Sequence, residues 1–352
     1  MKKFYDGTKI LSLKDINGKD PEIYIITSNR SAGKTTFFSR YLVKRFLEHK
    51  EKLMLVYRWK REVSKTAPDK FFSDIKGLFF PEYNMSAEPR EKGLFYELYI
   101  GKGTEKGDPC GYVVAVNSAY DVKKLSHLLS DTARMYVDEF VPEDGAYCPG
   151  EINKFQSLHK SVARGAGQMV RRVPVIMLSN TISLLNPYYT AWGVTDRIQS
   201  NTKFLRGAGW VLEQGFNEAA AEAARSSGFE QAFAGDKFAD YQNQAVYLND
   251  NLAFISRPSG KAQYFCTLKH EGENFGVRLY PELGLIYCDD RPDLTYHIRI
   301  TTTTADHQVN YLLLKGNDYY LELMRWYFEK GIFRFKNLRC KAAVLSALKY
   351  SA

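Results

Sequence analysis

Ser28-Asn29-Arg30-Ser31-Ala32-Gly33-Lys34-Thr35 follows the run Glu22-Ile23-Tyr24-Ile25-Ile26-Thr27 and leads into Thr36-Phe37-Phe38. The octapeptide fits the phosphate-binding pattern G-x-x-x-x-G-K-[ST] at every position but the first, where Ser28 replaces glycine. In that pattern a tight turn aims successive backbone N–H groups at phosphate oxygens, and the lysine reaches the terminal phosphates. The flanks agree. The apolar run predicts a buried strand over 22–27 and residues 35–48 predict a helix, so Lys34 sits at a helix N-terminus, where anions are favoured. Ser28, Asn29, Arg30, Ser31, Ala32, Gly33, Lys34, Thr35 and Thr36 are therefore the nucleotide-binding candidates. A bare G-K-[ST] arises by chance on the order of once in five chains of this length, so an ordinary strand-to-helix turn competes until a second motif is found.

That motif is Met135-Tyr136-Val137-Asp138-Glu139-Phe140, an apolar strand closed by two acids. If its strand lies beside the one feeding the loop, Asp138 and Thr35 can hold Mg²⁺, and Glu139 can polarise a water for attack on the γ-phosphate. Such pairs are common in surface turns. Here, though, they end a buried-type strand, where uncompensated charge is costly, and that favours function. Val173-Pro174-Val175-Ile176-Met177-Leu178-Ser179-Asn180 is a third apolar strand with a polar end. Asn180 could bond the attacking water or the γ-phosphate, provided its strand adjoins the other two; otherwise it is an ordinary turn residue. Hydrolysis also needs a cation on the γ-phosphate, often an arginine from a neighbouring subunit. Arg164, flanked by Gly165 and Gly167, ranks first and Arg171 second; each could equally be a solvated or phosphate-contacting side chain.

Composition sets the frame. The chain has 352 residues and a formal charge of +9, long enough for two domains with a core each. No run approaches the roughly 18 apolar residues of a membrane span, and Met1-Lys2-Lys3 is followed by mixed polar sequence, so a cytoplasmic chain with no membrane partner is expected. The five cysteines are scattered without zinc spacing and read as reduced structural thiols. Residues 325–352 carry seven Lys/Arg against Glu329 alone, interleaved with Trp326, Tyr327, Phe328, Phe333 and Phe335. Such a tail suits a polyanion, or equally a helix whose aromatics face a core.

Strands and helices alternate over 20–214, which predicts an α/β, mostly parallel sheet with its ligands at the strands' carboxyl ends. An alanine-rich helix within 217–235 marks a linker. Beyond it, strands at 245–257, 262–269, 275–280 and 284–288 precede helices at 319–329 and 338–350. The predicted domains are 1–214, a helical linker 215–243, and 244–352. Asp289, Asp290 and Asp293 read as a solvated turn rather than a two-metal site.

The loop, Val56-Tyr57-Arg58 after the second strand, Tyr136-Val137-Asp138-Glu139-Phe140, and Leu178-Ser179-Asn180 continuing to Asn186-Pro187-Tyr188-Tyr189 together resemble the DNA-packaging ATPases of small tailed phages of the phi29-like kind, relatives of the large terminases. The motifs cover about residues 20–200, and the remainder agrees in general plan. The resemblance implies a P-loop NTPase of the additional-strand, catalytic-glutamate type, using ATP and Mg²⁺. It also implies a C-terminal mixed α/β, RNase H-like domain without cutting activity. The implied assembly is a homo-oligomeric ring, a pentamer, docked in the host cytoplasm on the portal (connector) of a procapsid and driving double-stranded DNA inward. A packaging RNA is a further candidate partner, and Asn186-Pro187-Tyr188 a candidate coupling element. A helicase-like or kinase-like P-loop enzyme, or a non-enzymatic nucleic-acid binder with a vestigial nucleotide site, are the competing classes.

Overall fold

The computed structural model describes residues 5–143, 146–164, 169–180, 186–194, 197, 202–228, 255–315, 318–330 and 332–349. It divides into two compact units, one formed by Met1–Ile182 with Gln199–Leu248 and one by Ser183–Ile198 with Asn249–Ala352. Of the segment expected as a linker, the described residues 215–228 group with the first unit.

In the first unit the order is α1 (Thr8–Ser12), β1 (Ile23–Ser28), α2 (Lys34–His49), β2 (Lys52–Tyr57), α3 (Ala67–Phe79), β3 (Tyr83–Arg90), β4 (Phe95–Lys102) and β5 (Asp108–Ala115). There follow α4 (Ala119–Val122), β6 (Thr132–Val137), α5 (Glu151–Val162) and β7 (Val175–Asn180). After α6 (Pro187–Ala191), which groups with the second unit, come β8 (Phe204–Gly207), β9 (Trp210–Gln214) and α7 (Glu218–Arg225). One nine-stranded sheet runs β3-β4-β5-β2-β6-β7-β1-β9-β8. Its six middle strands, from β5 to β9, are parallel, and β3, β4 and β8 extend the edges antiparallel. Parallel strands covered by helices read as continuous apolar runs, which is why β1, β2 and β7 were legible. β3 was not expected. It carries Pro89 and polar residues and survives as an edge strand, where one side needs no ladder partner. The amphipathic α2 turns Phe38, Leu42, Val43 and Phe46 onto Ile26, Leu55, Ile176 and Leu178 of the sheet.

One sequence expectation is corrected. The Asp138-Glu139 strand β6 does not adjoin β1, because β7 lies between them and pairs with both. This satisfies the condition set for Asn180, whose strand touches the other two.

The second unit contains β10 (Gln263–His270), β11 (Glu273–Tyr280), β12 (Leu285–Asp289), β13 (Arg299–Thr301), β14 (Leu312–Leu313), α8 (Tyr319–Glu329), β15 (Phe333–Phe335) and α9 (Leu338–Lys349). Strands β10 to β12 form an antiparallel meander; β13 and then β14 add parallel beside β10, and β15 adds parallel to β12. Most of the predicted strand at 245–257 lies outside the described residues. The acids at and after the end of β12 are not a solvated turn: Asp289 is buried and ion-paired with the buried Arg278, while Asp290 pairs with Lys336 and Asp293 accepts from Thr295. In the basic tail, Phe333 and Phe335 stack in the core with centroids 4.8 Å apart, and Trp326 is left half exposed. The aromatics there are divided between core and surface.

Candidate active site

β1, β7 and β6 are consecutive in the sheet, so the residues that follow each strand meet at one end of it. They line a cleft of about 380 Å³ made by Arg30, Ser31, Lys34 and Thr35 of the loop, Tyr57 ending β2 and Arg58 after it, Asp138 and Glu139 after β6, and Asn180 ending β7. The loop does not need glycine at its first position. Ser28 closes β1 in register with Asn180, is fully buried, and donates its hydroxyl to the Asn29 carbonyl at 3.1 Å. The left-handed residues come later, Ser31 at φ 59° and Gly33 at φ 95°, and it is Gly33 whose backbone requires the absent Cβ.

Lys34 is 6% exposed, and its Nζ donates to Asn180 Oδ1 at 2.7 Å. Burial lowers its pKa to about 8 and Arg30 adds to the effect, with Asp138 and Glu139 opposing it. A buried ammonium held by a neutral amide is electrostatically incomplete and favours an incoming anion. Asp138 opens to the cleft but is crowded by protein, and that desolvation raises its pKa against the pull of Lys34. Its Oδ2 accepts from the Thr35 hydroxyl at 3.4 Å and the Tyr136 hydroxyl at 3.3 Å, and its Oδ1 from the Glu139 N–H at 3.1 Å. Glu139 lies at φ 55°, a left-handed conformation unusual for a side chain of this size. Its carboxyl is raised by burial, then by Asp138 and Glu143, with Arg30 and Arg58 pulling the other way.

Residues 2–350 match the family described as "Podovirus DNA encapsidation protein (Gp16)". The chain belongs to that family. It is 24% identical over 338 residues to the DNA packaging protein of Bacillus phage phi29, covering 95% of this chain and 93% of that protein. In structure it resembles a chain of the bacteriophage Phi-29 viral genome packaging motor assembly, with a TM-score of 0.67 and 24% identity over 99% of this chain and 98% of that one. It also resembles the Phi-28 gp11 DNA packaging motor, with a TM-score of 0.58 and 14% identity over 99% of each chain. At these identities the structural likeness speaks for the fold, and it spans both units.

Not every candidate side chain lines the cleft of this family member. Asn29 turns away to Asn217, Ala32 is buried, and Gly33 and Thr36 are absent from the lining. Arg164 is exposed just past α5 and outside the cleft, as a residue acting on a neighbour could be. Arg171 is turned inward. Its guanidinium donates to the Thr132 carbonyl at 2.5 Å and the Val162 carbonyl at 2.9 Å, so its second place as a trans-acting cation is corrected by its structural role.

Thr35 Oγ1 and Asp138 Oδ2 are hard oxygens close enough to serve one small cation, and among the described residues no cluster of three or more His, Cys, Asp or Glu forms an all-protein cage. That donor set fits Mg²⁺, which keeps waters and takes its other ligands from phosphates. Sequence reasoning missed Glu151. It is 4% exposed and receives Arg58 Nε at 3.1 and 3.0 Å through its two carboxylate oxygens, while Arg58 donates its other arm to the carbonyls of Glu139 at 3.1 Å and Phe140 at 2.9 Å. Arg58 thereby holds the backbone of the Glu139 turn. A glutamate opening a helix reads as a dipole partner, and nothing in the linear pattern ties it to an arginine 93 residues away.

Proposed function

We propose that the cleft binds ATP with Mg²⁺ and hydrolyses it to drive double-stranded DNA into a preformed capsid. One observation carries this reading: Lys34, Thr35, Asp138, Glu139 and Asn180 converge from three adjacent strand ends around a buried ammonium that, among the described residues, makes no carboxylate ion pair and donates to Asn180. Mg²⁺, when bound, neutralises phosphate charge. Thr35 and Asp138 are the residues that would hold it. Lys34 reaches the β- and γ-phosphates, and Asn180 exchanges its bond with Lys34 for one to the γ-phosphate or the attacking water. Glu139 orients that water and takes its proton as the water oxygen bonds to the γ-phosphorus. The bond to the β–γ bridging oxygen breaks, and its electrons leave with ADP. Arg164 of an adjacent subunit supplies the remaining cation, so subunits work as a homo-oligomeric ring, a pentamer, on the portal of the procapsid in the host cytoplasm, with a packaging RNA as a further partner.

The second unit is an RNase H-like domain used for binding. Its antiparallel meander, extended by parallel strands on both sides, supports this reading. So does β10 itself, Gln263-Tyr264-Phe265-Cys266-Thr267-Leu268-Lys269-His270, which offers no carboxylate for a metal. Sequence-tolerant, steeply salt-dependent binding to duplex DNA is expected, since phosphate contacts dominate.

The test is ATP turnover by purified protein with and without long duplex DNA and portal-bearing empty capsids. Stimulation that disappears in Lys34→Ala is the expected result, with partial rescue when Lys34→Ala and Arg164→Ala subunits are mixed. Turnover indifferent to both DNA and capsids would overturn the motor reading.

A further inference from the structure

The loop's outer face is attached to something the reaction does not use. Asn29, which the phosphate-binding pattern leaves unspecified, forms a two-point pair with the backbone of Asn217: its Oδ1 accepts from the Asn217 N–H at 2.9 Å, and its Nδ2 donates to the Asn217 carbonyl at 3.1 Å. Asn217 returns the contact, with its Nδ2 donating to the Ala32 carbonyl at 3.3 Å. The same side chain caps α7, because Asn217 Oδ1 accepts from the Ala220 N–H at 3.1 Å. Two residues earlier, the Gly215 N–H donates to the Thr27 carbonyl at 2.7 Å, so β9 runs on beside the loop and aligns the pair. One asparagine thus serves both the loop of phosphate-binding pattern and the first turn of α7.

We infer that Asn217 is a positioning residue that makes α7 a reporter of loop occupancy, with Asn29 as its receptor on the loop. The inference rests on the proposed nucleotide site and adds a route out of it. Phosphate drawn to the inner N–H groups of the loop polarises and fixes its peptides. The outward Ala32 carbonyl then becomes a better acceptor for Asn217, and the α7 cap is held more firmly. In the empty loop these bonds open more often and the first turn of α7 frays with them.

Two substitutions separate this role from simple capping. Asn217→Asp keeps a good helix cap but presents a carboxylate oxygen, rather than a donor, to the Ala32 carbonyl. Asn29→Asp removes the donor to the Asn217 carbonyl without touching the cap. Amide hydrogen exchange of 218–225 in the full chain is measured with and without a non-hydrolysable ATP analogue, alongside binding of a fluorescent ATP analogue. In the unaltered protein the analogue is expected to slow exchange in the first turn of α7 by about fivefold or more, and in Asn217→Asp by less than about twofold, with the helix still formed by its exchange in the absence of nucleotide. Asn29→Asp is expected to weaken the response in the same direction. Analogue binding with no change in α7 exchange in the unaltered protein, or an undiminished response in Asn217→Asp, would overturn the inference and leave the nucleotide site standing. No binding of either analogue would sink both.

Discussion

Met135-Tyr136-Val137-Asp138-Glu139 and Leu285-Ile286-Tyr287-Cys288-Asp289-Asp290 are the same pattern in sequence, an apolar strand closed by two acids, and the fold puts them in opposite electrostatic states. After β6, Asp138 and Glu139 face a cleft with no arginine or lysine in direct ion-pair contact among the described residues, and burial pushes both carboxyls up. At the end of β12, Asp289 is closed in by the buried Arg278 and the Arg291 N–H, though its Oδ2 finds no partner among the described residues, and Asp290 is neutralised by Lys336. The lesson concerns where charge demand is met. Acids satisfied inside the chain build it, whereas acids and an ammonium left unsatisfied around a cavity await a ligand that brings the missing charge.

The largest effect is expected from Glu139→Gln, which keeps the shape of the site but removes the proton acceptor. Single-turnover hydrolysis should fall by about 10³-fold while ATP analogue binding persists. If hydrolysis fell by less than tenfold, Glu139 would join Asp290 as a structural acid.

On the other side, Asp289→Ala should leave the Arg278 guanidinium buried and unpaired and destabilise the second unit by about 3–5 kcal/mol. Urea unfolding followed by hydrogen exchange resolved to each unit checks this. A variant of unaltered stability would mean that the pair is dispensable and that the contrast with β6 is one of position alone.

The smallest effect sharpens the contrast at Lys34. Below about pH 8 the ammonium is charged in the free and the liganded protein alike, and nucleotide affinity should be flat. Above it, the free protein gives up a proton that bound phosphate would retain, so affinity should drop by about tenfold per pH unit until the liganded pKa is passed. Dissociation constants across that range, with calorimetry in two buffers to detect proton uptake on binding, measure it. Flat affinity to about pH 10 would mean that Lys34 is not desolvated in solution.

Much of the first unit was legible because its strands are buried on both sides and spell themselves out as apolar runs, and its helices carry clear periodicity. The loop motif named Lys34 and Thr35, the doubled acid named Asp138 and Glu139, and the strand end named Asn180. What was not legible is instructive. β3 is an edge strand with no apolar signature, and no local pattern marks Glu151 as the partner of Arg58. Asn217 looked like one more polar residue in a linker, and its two functions exist only because β9 delivers it to the loop.

Sequence alone determined which chemistry to look for, since a loop of phosphate-binding pattern, a doubled acid and a strand-end amide are local patterns whose residue types limit what they can do. Tertiary structure alone decided which of the similar local patterns lines the cleft. It inserted β7 between β1 and β6, released Ser28 from the need to be glycine by keeping it in the strand, spent Arg171 on carbonyls of its own chain, and buried Asp289 against Arg278. The physical reason is the same in each case. Whether a charge or a polar group is balanced depends on neighbours that are distant in sequence, and those are supplied by the order of strands in the sheet and not by the order of residues in the chain.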